Sequence, residues 1–128
     1  MGRSADRLRR VAEAQRALAR LAAAEHRAAE DAYRESEAQG AAIVEALNED
    51  SPLHGMIVTT MAGALQRNAR RTEELRRRAA AAHHRHAKED VAARRLDENA
   101  KTAEAGERRS EAAKQLLVIA LEHLQRRR

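Results

Sequence analysis

The sequence predicts an all-α protein. It reads as two long helices forming an antiparallel coiled-coil hairpin, the second helix longer, with a break near residues 48–52. Three observations lead there. Ala, Leu, Arg and Glu dominate the composition, and these are the strongest helix formers. The chain has one aromatic residue, Tyr33, with no Phe and no Trp, so the bulky side chains that fill a compact core are missing. Its single proline, Pro52, lies in LNEDSPLHGM at residues 47–56, between two long stretches that carry helical periodicity. At 128 residues the chain is expected to form a single helical hairpin over 1–128.

The first helix is expected over about 5–47. Val11, Ala14, Leu18, Leu21, Ala28 and Ala32 recur at three- and four-residue spacing, with the polar Glu25 in the same stripe, and Ile43 and Leu47 resume it. That spacing puts them on one side of a helix, which predicts the contact face. Glu25, Glu30 and Asp31 lie near Arg27 and Arg34 at helix-neighbour spacing and suit the outer face.

The turn follows at 48–52. Asn48, Asp50 and Ser51 compete with helical backbone bonds through their side chains. Pro52 disfavours helix at Ser51 yet suits the first helical position, so Ser51 reads as an N-cap and Pro52 as the first residue inside. The second helix is expected over about 53–127. His54 and Gly55 fall in its first turn, and Gly63 suggests a kink or a short separate piece near 55–63. A 3-4 walk from Met61 runs through Leu65, Asn68, Thr72, Leu75, Ala79, Ala82, His86, Glu89, Ala93, Leu96, Ala100, Ala103 and Glu107, then on through Ser110, Lys114, Leu117, Leu121 and Leu124. Such a sustained stripe is a coiled-coil seam. Many of its members are Ala, so the helices can approach closely while burying little area per layer.

Charge favours folding back over a single rod. Residues 1–20 carry net +4, residues 21–60 net −6, residues 61–96 net +6 and residues 97–128 net +1. A hairpin lays the acidic stretch beside the basic one. Each exposed pair is worth only ~0–1 kcal/mol, but the arrangement avoids like-charge contact. With a tight turn at Pro52, residues beyond about Leu96 should overhang. That overhang ends in QLLVIALEHLQRRR at 115–128. Leu116, Leu117, Val118, Ile119, Leu121 and Leu124 cover more than one helix face, and a helix apolar nearly all round is normally buried. Two readings stay open: the segment packs with Leu8 and Val11 to close the end of the hairpin, or it docks on another protein, including a second copy.

No catalytic constellation is visible. There is no Gly-rich phosphate loop, nucleophile elbow or paired-His zinc motif, and no cysteine for a disulfide or thiolate site. The chain reads as a non-enzyme with no cofactor. HHRH at 83–86 is the most conspicuous polar cluster, since His83 and His86 could share a face as metal ligands do. No carboxylate or cysteine completes a set, and a solvated face with His86 at the seam accounts for the motif without metal. His26, His54 and His123 are isolated. No apolar run approaches the ~20 residues that a membrane span needs, and MGRSADRLRRV lacks the apolar core of a secretion signal. A cytoplasmic protein without membrane insertion is expected.

The basic runs RLRR at 7–10, RNARR at 67–71 and the RRR triplets at 76–78 and 126–128, with a pI near 10.6, raise nucleic acid as a partner. The runs alternate with acidic residues, and no aromatic platform is present for bases. A charged outer face explains them more simply. A basic coiled coil associated with nucleic acid, and a purely structural homodimeric helical bundle, are the alternatives.

RLRRVAEAQRALARLAAAE at the start, the break ALNEDSPLHGMIVTTMAGAL, and the long second helix through AKQLLVIALEHL together resemble the FliJ/YscO-like coiled-coil stalk proteins of bacterial flagellar and type III export. The resemblance spans the whole chain and is one of pattern. It implies a non-enzymatic stalk or escort protein in the cytoplasm, peripheral at the inner-membrane export apparatus. Its open end would insert into the export ATPase ring and promote hydrolysis, and it would also engage export chaperones and the export gate. By position, the open end would hold Arg7, Leu8, Arg9, Arg10 and Val11 together with Leu116, Leu117, Ile119, Leu121, Leu124, Arg126, Arg127 and Arg128. Arginines there would pair with acidic loops of a ring, and leucines would supply apolar contact.

Overall fold

A computed structural model of the chain describes residues 3–49 and 54–127. The turn residues Asp50, Ser51, Pro52 and Leu53, with the capping roles expected for Ser51 and Pro52, lie outside the described residues. Two helices account for nearly everything described: α1 (Arg3–Leu47, 45 residues) and α2 (His54–Arg126, 73 residues). The all-α hairpin with a longer second helix is therefore present. α2 is one unbroken helix through Gly55 and Gly63, so the separate piece expected near 55–63 does not form. At the end of α1, the Asn48 amide donates to the carbonyls of Val44 (3.2 Å) and Glu45 (3.1 Å), and Glu49 donates to Ala46 (3.3 Å). These tightened bonds satisfy carbonyls left over by the last turn.

The chain divides into two compact units. One joins α1 up to Ala19 with α2 from Glu89 onward, and the other is Arg20–Lys88. In each, the helices run antiparallel: contacts on α2 step back as those on α1 step forward.

In the first unit the seam is built on alanine. Ala5, Ala12 and Ala19 from α1 and Ala93 and Ala100 from α2 are buried, with Leu8, Gln15, Glu89, Leu96, Ala103 and Glu107 half-buried between them. In the second unit Ala22, Ser36, Ala79 and Ala82 are buried. His26, Tyr33, Gly40, Ile43 and Leu47 extend the seam on α1, and Met61, Leu65, Asn68, Thr72, Leu75 and His86 extend it on α2. The 3-4 walk on α2 thus lines the seam from Met61 to Glu107.

The face expected for α1 is corrected over its N-terminal part, while Ile43 and Leu47 lie on the seam as expected. Val11, Leu18 and Leu21 are exposed at 45%, 51% and 57%, and Ala14 and Ala28 are exposed too. The contact face lies one residue later, about 100° round the helix. Polar seam residues decide it. Ser36 meets Thr72 across the seam, their hydroxyls 2.6 Å apart. The Asn68 side-chain amide donates to the Ser36 carbonyl at 3.1 Å, and Gln15 donates to the Glu89 carboxylate. A seam on Val11, Leu18 and Leu21 would instead carry Glu25 inward and leave Asn68 and Thr72 without these partners, and an unsatisfied buried polar group costs about 1–3 kcal/mol.

Gly40 is what lets Asn68 in. A methyl group at position 40 would stand 2.5 Å from the Asn68 Oδ1. Gly40 is one turn beyond Ser36, so its missing side chain opens the route to the Ser36 carbonyl.

The overhang is also corrected. Gly40 lies opposite Asn68, and that register carries the end of α1 to about the level of Met61. The first turns of α2 therefore precede the paired stretch. Pairing reaches Glu107, whose carboxylate accepts the Ala5 amide at 3.1 Å. Residues from about 108 onward overhang, not those beyond Leu96.

Candidate functional site

The expected interface divides into two places within the first unit. Arg9 donates to Glu104 at 2.8 Å and also pairs with Asp6 at 3.2 Å. Residues 7–11 therefore lie beside about residues 99–104 of α2. Leu116 is twelve residues beyond Glu104, a rise of ~18 Å along the helix. The structure does not bring Arg7, Leu8, Arg9, Arg10 and Val11 together with the C-terminal leucines. Leu8 is half-buried in the seam. The strong hydrogen bond and charge of Glu104 raise the pKa of Arg9 and occupy its guanidinium. Arg7 and Arg10 are exposed. Arg128 lies outside the described residues.

The second group forms one continuous surface. Leu116, Leu117, Val118, Ile119, Leu121 and Leu124 are 67%, 62%, 53%, 61%, 53% and 60% exposed. Packing of this segment against Leu8 and Val11, one of the two readings above, does not occur. Arg3, where the described part of α1 starts, is level with about residue 108 of α2, short of this segment. Helical geometry spreads Leu116, Leu117, Val118 and Ile119 at about 100° intervals, so the apolar surface encircles the helix. Arg126 and Arg127 follow it and place positive charge at the helix C-terminus, where the helix dipole favours it. Among the described residues, no helix is long and apolar enough to cross a membrane.

His26, His83 and His86 stand in the second unit. His26, read as isolated, is not: its ring lies 5.0 Å from that of His83, tilted at 53°, and 6.1 Å from that of His86, stacked at 14°. His86 is half-buried, and its Nδ1 has no hydrogen-bond partner. Stacked rings do not aim their nitrogens at a common point, and among the described residues no group of three or more His, Cys, Asp or Glu is arranged to hold a metal ion.

Among the described residues, carboxylates answer arginines, lysine, a backbone amide and the Gln15 side chain. Glu73 receives Arg76 through two bonds, at 2.7 and 2.9 Å, and Arg77 at 3.3 Å. These hold its pKa down to about 2, the Arg76 hydrogen bond contributing most. The group is a helix-surface cluster without an enclosing cavity.

On α1, Ala5, Ala12, Ala19, Ala22, Gln15, Ser36 and Gly40 went unnoticed in the sequence, while their α2 counterparts Asn68, Thr72, Ala79, Ala82, Glu89, Ala93 and Ala100 lie on the seam as expected. A signal existed. Gln15, His26, Ser36 and Gly40 share one face of α1, and Glu89, His86, Thr72 and Asn68 are their counterparts in reverse order on α2. Compared with family models, curated proteins and solved structures, the chain matches none.

Proposed function

We propose that this is a non-enzymatic coiled-coil stalk protein of a bacterial flagellar or type III export apparatus, whose overhanging helix inserts into the export ATPase ring and stimulates hydrolysis. One observation carries the reading: residues 116–121 put exposed apolar side chains on every side of the helix, and Leu124 follows them beyond Glu122 and His123. A single flat partner, or one partner helix, covers one stripe of such a helix. A ring lumen covers all of it. Helices apolar all round normally occupy enclosed positions, and exposed apolar patches of this size mark interaction sites. The export chaperones and the export gate are further partners in this reading, and the cytoplasmic face of the inner membrane is its place.

The test is the hydrolysis rate of the export ATPase encoded with this chain, measured with and without it. The chain should raise the rate at saturating concentration. L117R/L121R should abolish the rise without changing helicity, because both side chains are exposed. No stimulation at saturation would sink the proposal. A strictly dimeric mass in light scattering, reverting to monomer in L117R/L121R, would assign the overhang to a second copy instead.

A further inference from the structure

The two flanks of the first unit differ. On one flank, Arg9 pairs with Glu104 and Arg16 with Asp97 at 3.3 Å. Asp6, Glu13 and Asp90 project near that side. The other flank lies on the far side of Ala12 and Ala19. There α1 presents Val11 and Leu18, with Ala14 beside them, all exposed. The register set by the ion pairs brings Val11 level with about Asn99 and Leu18 level with about Ala92. Ala92 and Gly106 are half-buried, and a methyl group at Gly106 would meet no atom within 4 Å. Along this flank runs the shallow groove between the two helices, bordered by Val11 and Leu18 of α1 and by Ala92, Asn99 and Gly106 of α2.

Charge is segregated across the same line. Arg7 and Arg95 project along the groove side. They are exposed and make no ion pair among the described residues. No carboxylate of this unit falls at the heptad positions that form that flank. In α1 the apolar face is therefore wider than a two-stranded seam requires. Apolar residues at both seam positions plus one flank are the pattern of a helix packed against more than one neighbour.

We infer that the groove formed by Val11, Leu18, Ala92 and Gly106 docks an amphipathic helix with acidic borders from another protein. The occupant presents an apolar stripe to Val11 and Leu18 and carboxylates to Arg7 and Arg95. The overhang of a second copy fits poorly, since residues 108–127 carry five Arg or Lys against two Glu and would meet arginine with arginine. This surface is separate from the 116–124 segment, so its failure leaves the stalk proposal standing.

The experiment uses the full chain and a fluorescent amphipathic peptide of about 18 residues, long enough to span the groove. Its Leu residues follow 3-4 spacing and its flanks are Glu. A second peptide carries Lys in place of every Glu. Anisotropy should show the Glu peptide binding roughly tenfold or more tightly than the Lys peptide at low salt, the difference shrinking as salt screens it. L18N and V11N should each weaken it about fivefold or more, and R7E/R95E should reverse the preference. Helicity should be unchanged in all of them, as every substituted residue is exposed. No binding, equal binding of both peptides, or binding indifferent to both L18N and V11N overturns the inference. So does a dimer in sedimentation equilibrium that L18N dissolves, which would give the groove to a second copy.

Discussion

Glu73 shows how much a single residue can report. Arg76 hydrogen-bonds it and Arg77 adds charge, and together they hold its folded-state pKa near 2 against an ordinary value of 4.5. A depressed folded value means that this carboxylate favours the folded state above pH 4.5, and that the benefit drains away as pH falls toward 2. In NMR titration its side-chain resonance should move with a midpoint near 2, and R76Q should return the midpoint toward 4.5. A midpoint unchanged by R76Q would show that the ion pair is not the cause. Gly40 and Gly106 give a second residue-scale contrast. Both lie inside helices, where replacing Gly by Ala gains about 1 kcal/mol. At Gly106 the methyl meets open space, so G106A should raise stability by about that amount. At Gly40 it meets Asn68, and displacing Asn68 forfeits its bond to Ser36, worth about 1 kcal/mol or more. Chemical denaturation should place G40A below G106A by about 1–2 kcal/mol.

At the scale of the helix, α1 inverts the usual weighting of apolar residues. Its large side chains at 11, 18 and 21 face outward, and its small ones at 5, 12, 19 and 22 face α2. Alanine against alanine lets two backbones approach closely, and close packing then leaves no room for growth. A12L should cost about 1–3 kcal/mol by overpacking. L18A removes more carbon yet should change stability by no more than about 0.5 kcal/mol, as for other exposed sites. Equal effects from the two, in urea melts of each variant, would mean that the contact face has been misassigned. The reason for the missed face of α1 also belongs here. Reading apolarity along one helix gives Val and Leu priority over Ala. A seam is chosen by two helices jointly, and Asn68, Thr72, Glu89 and His86 on α2 select the face of α1 that can answer them.

Over the whole molecule, the helix content, the position of the break and the inequality of the two helices were all legible, because composition and a lone proline act locally. The path of the α2 seam from Met61 to Glu107 was legible too, since its apolar and polar members keep one period. The extent of pairing was not, because it depends on where α1 comes level with α2, and a few turns moved the start of the overhang from about residue 96 to about 108. Of the candidate interface, the leucines at 116–124 stand exposed as a group, while residues 7–11 are placed elsewhere by their own ion pair. The chain has no cysteine, so introduced thiols can test the register cleanly. S36C/T72C replaces two hydroxyls 2.6 Å apart and should oxidise readily to a disulfide, adding about 3–4 kcal/mol for a loop of this length. E35C/T72C, shifted by one residue, should remain reduced under the same conditions.

The alanine seam also decides how this protein can be dissected. An alanine scan is silent at Ala5, Ala12, Ala19, Ala22, Ala79, Ala82, Ala93 and Ala100, because the probe and the native residue are the same. Such a scan would report a molecule with few sensitive positions, while its least replaceable contacts went unsampled. Bulky probes, applied position by position, are the ones that will trace where the two helices touch.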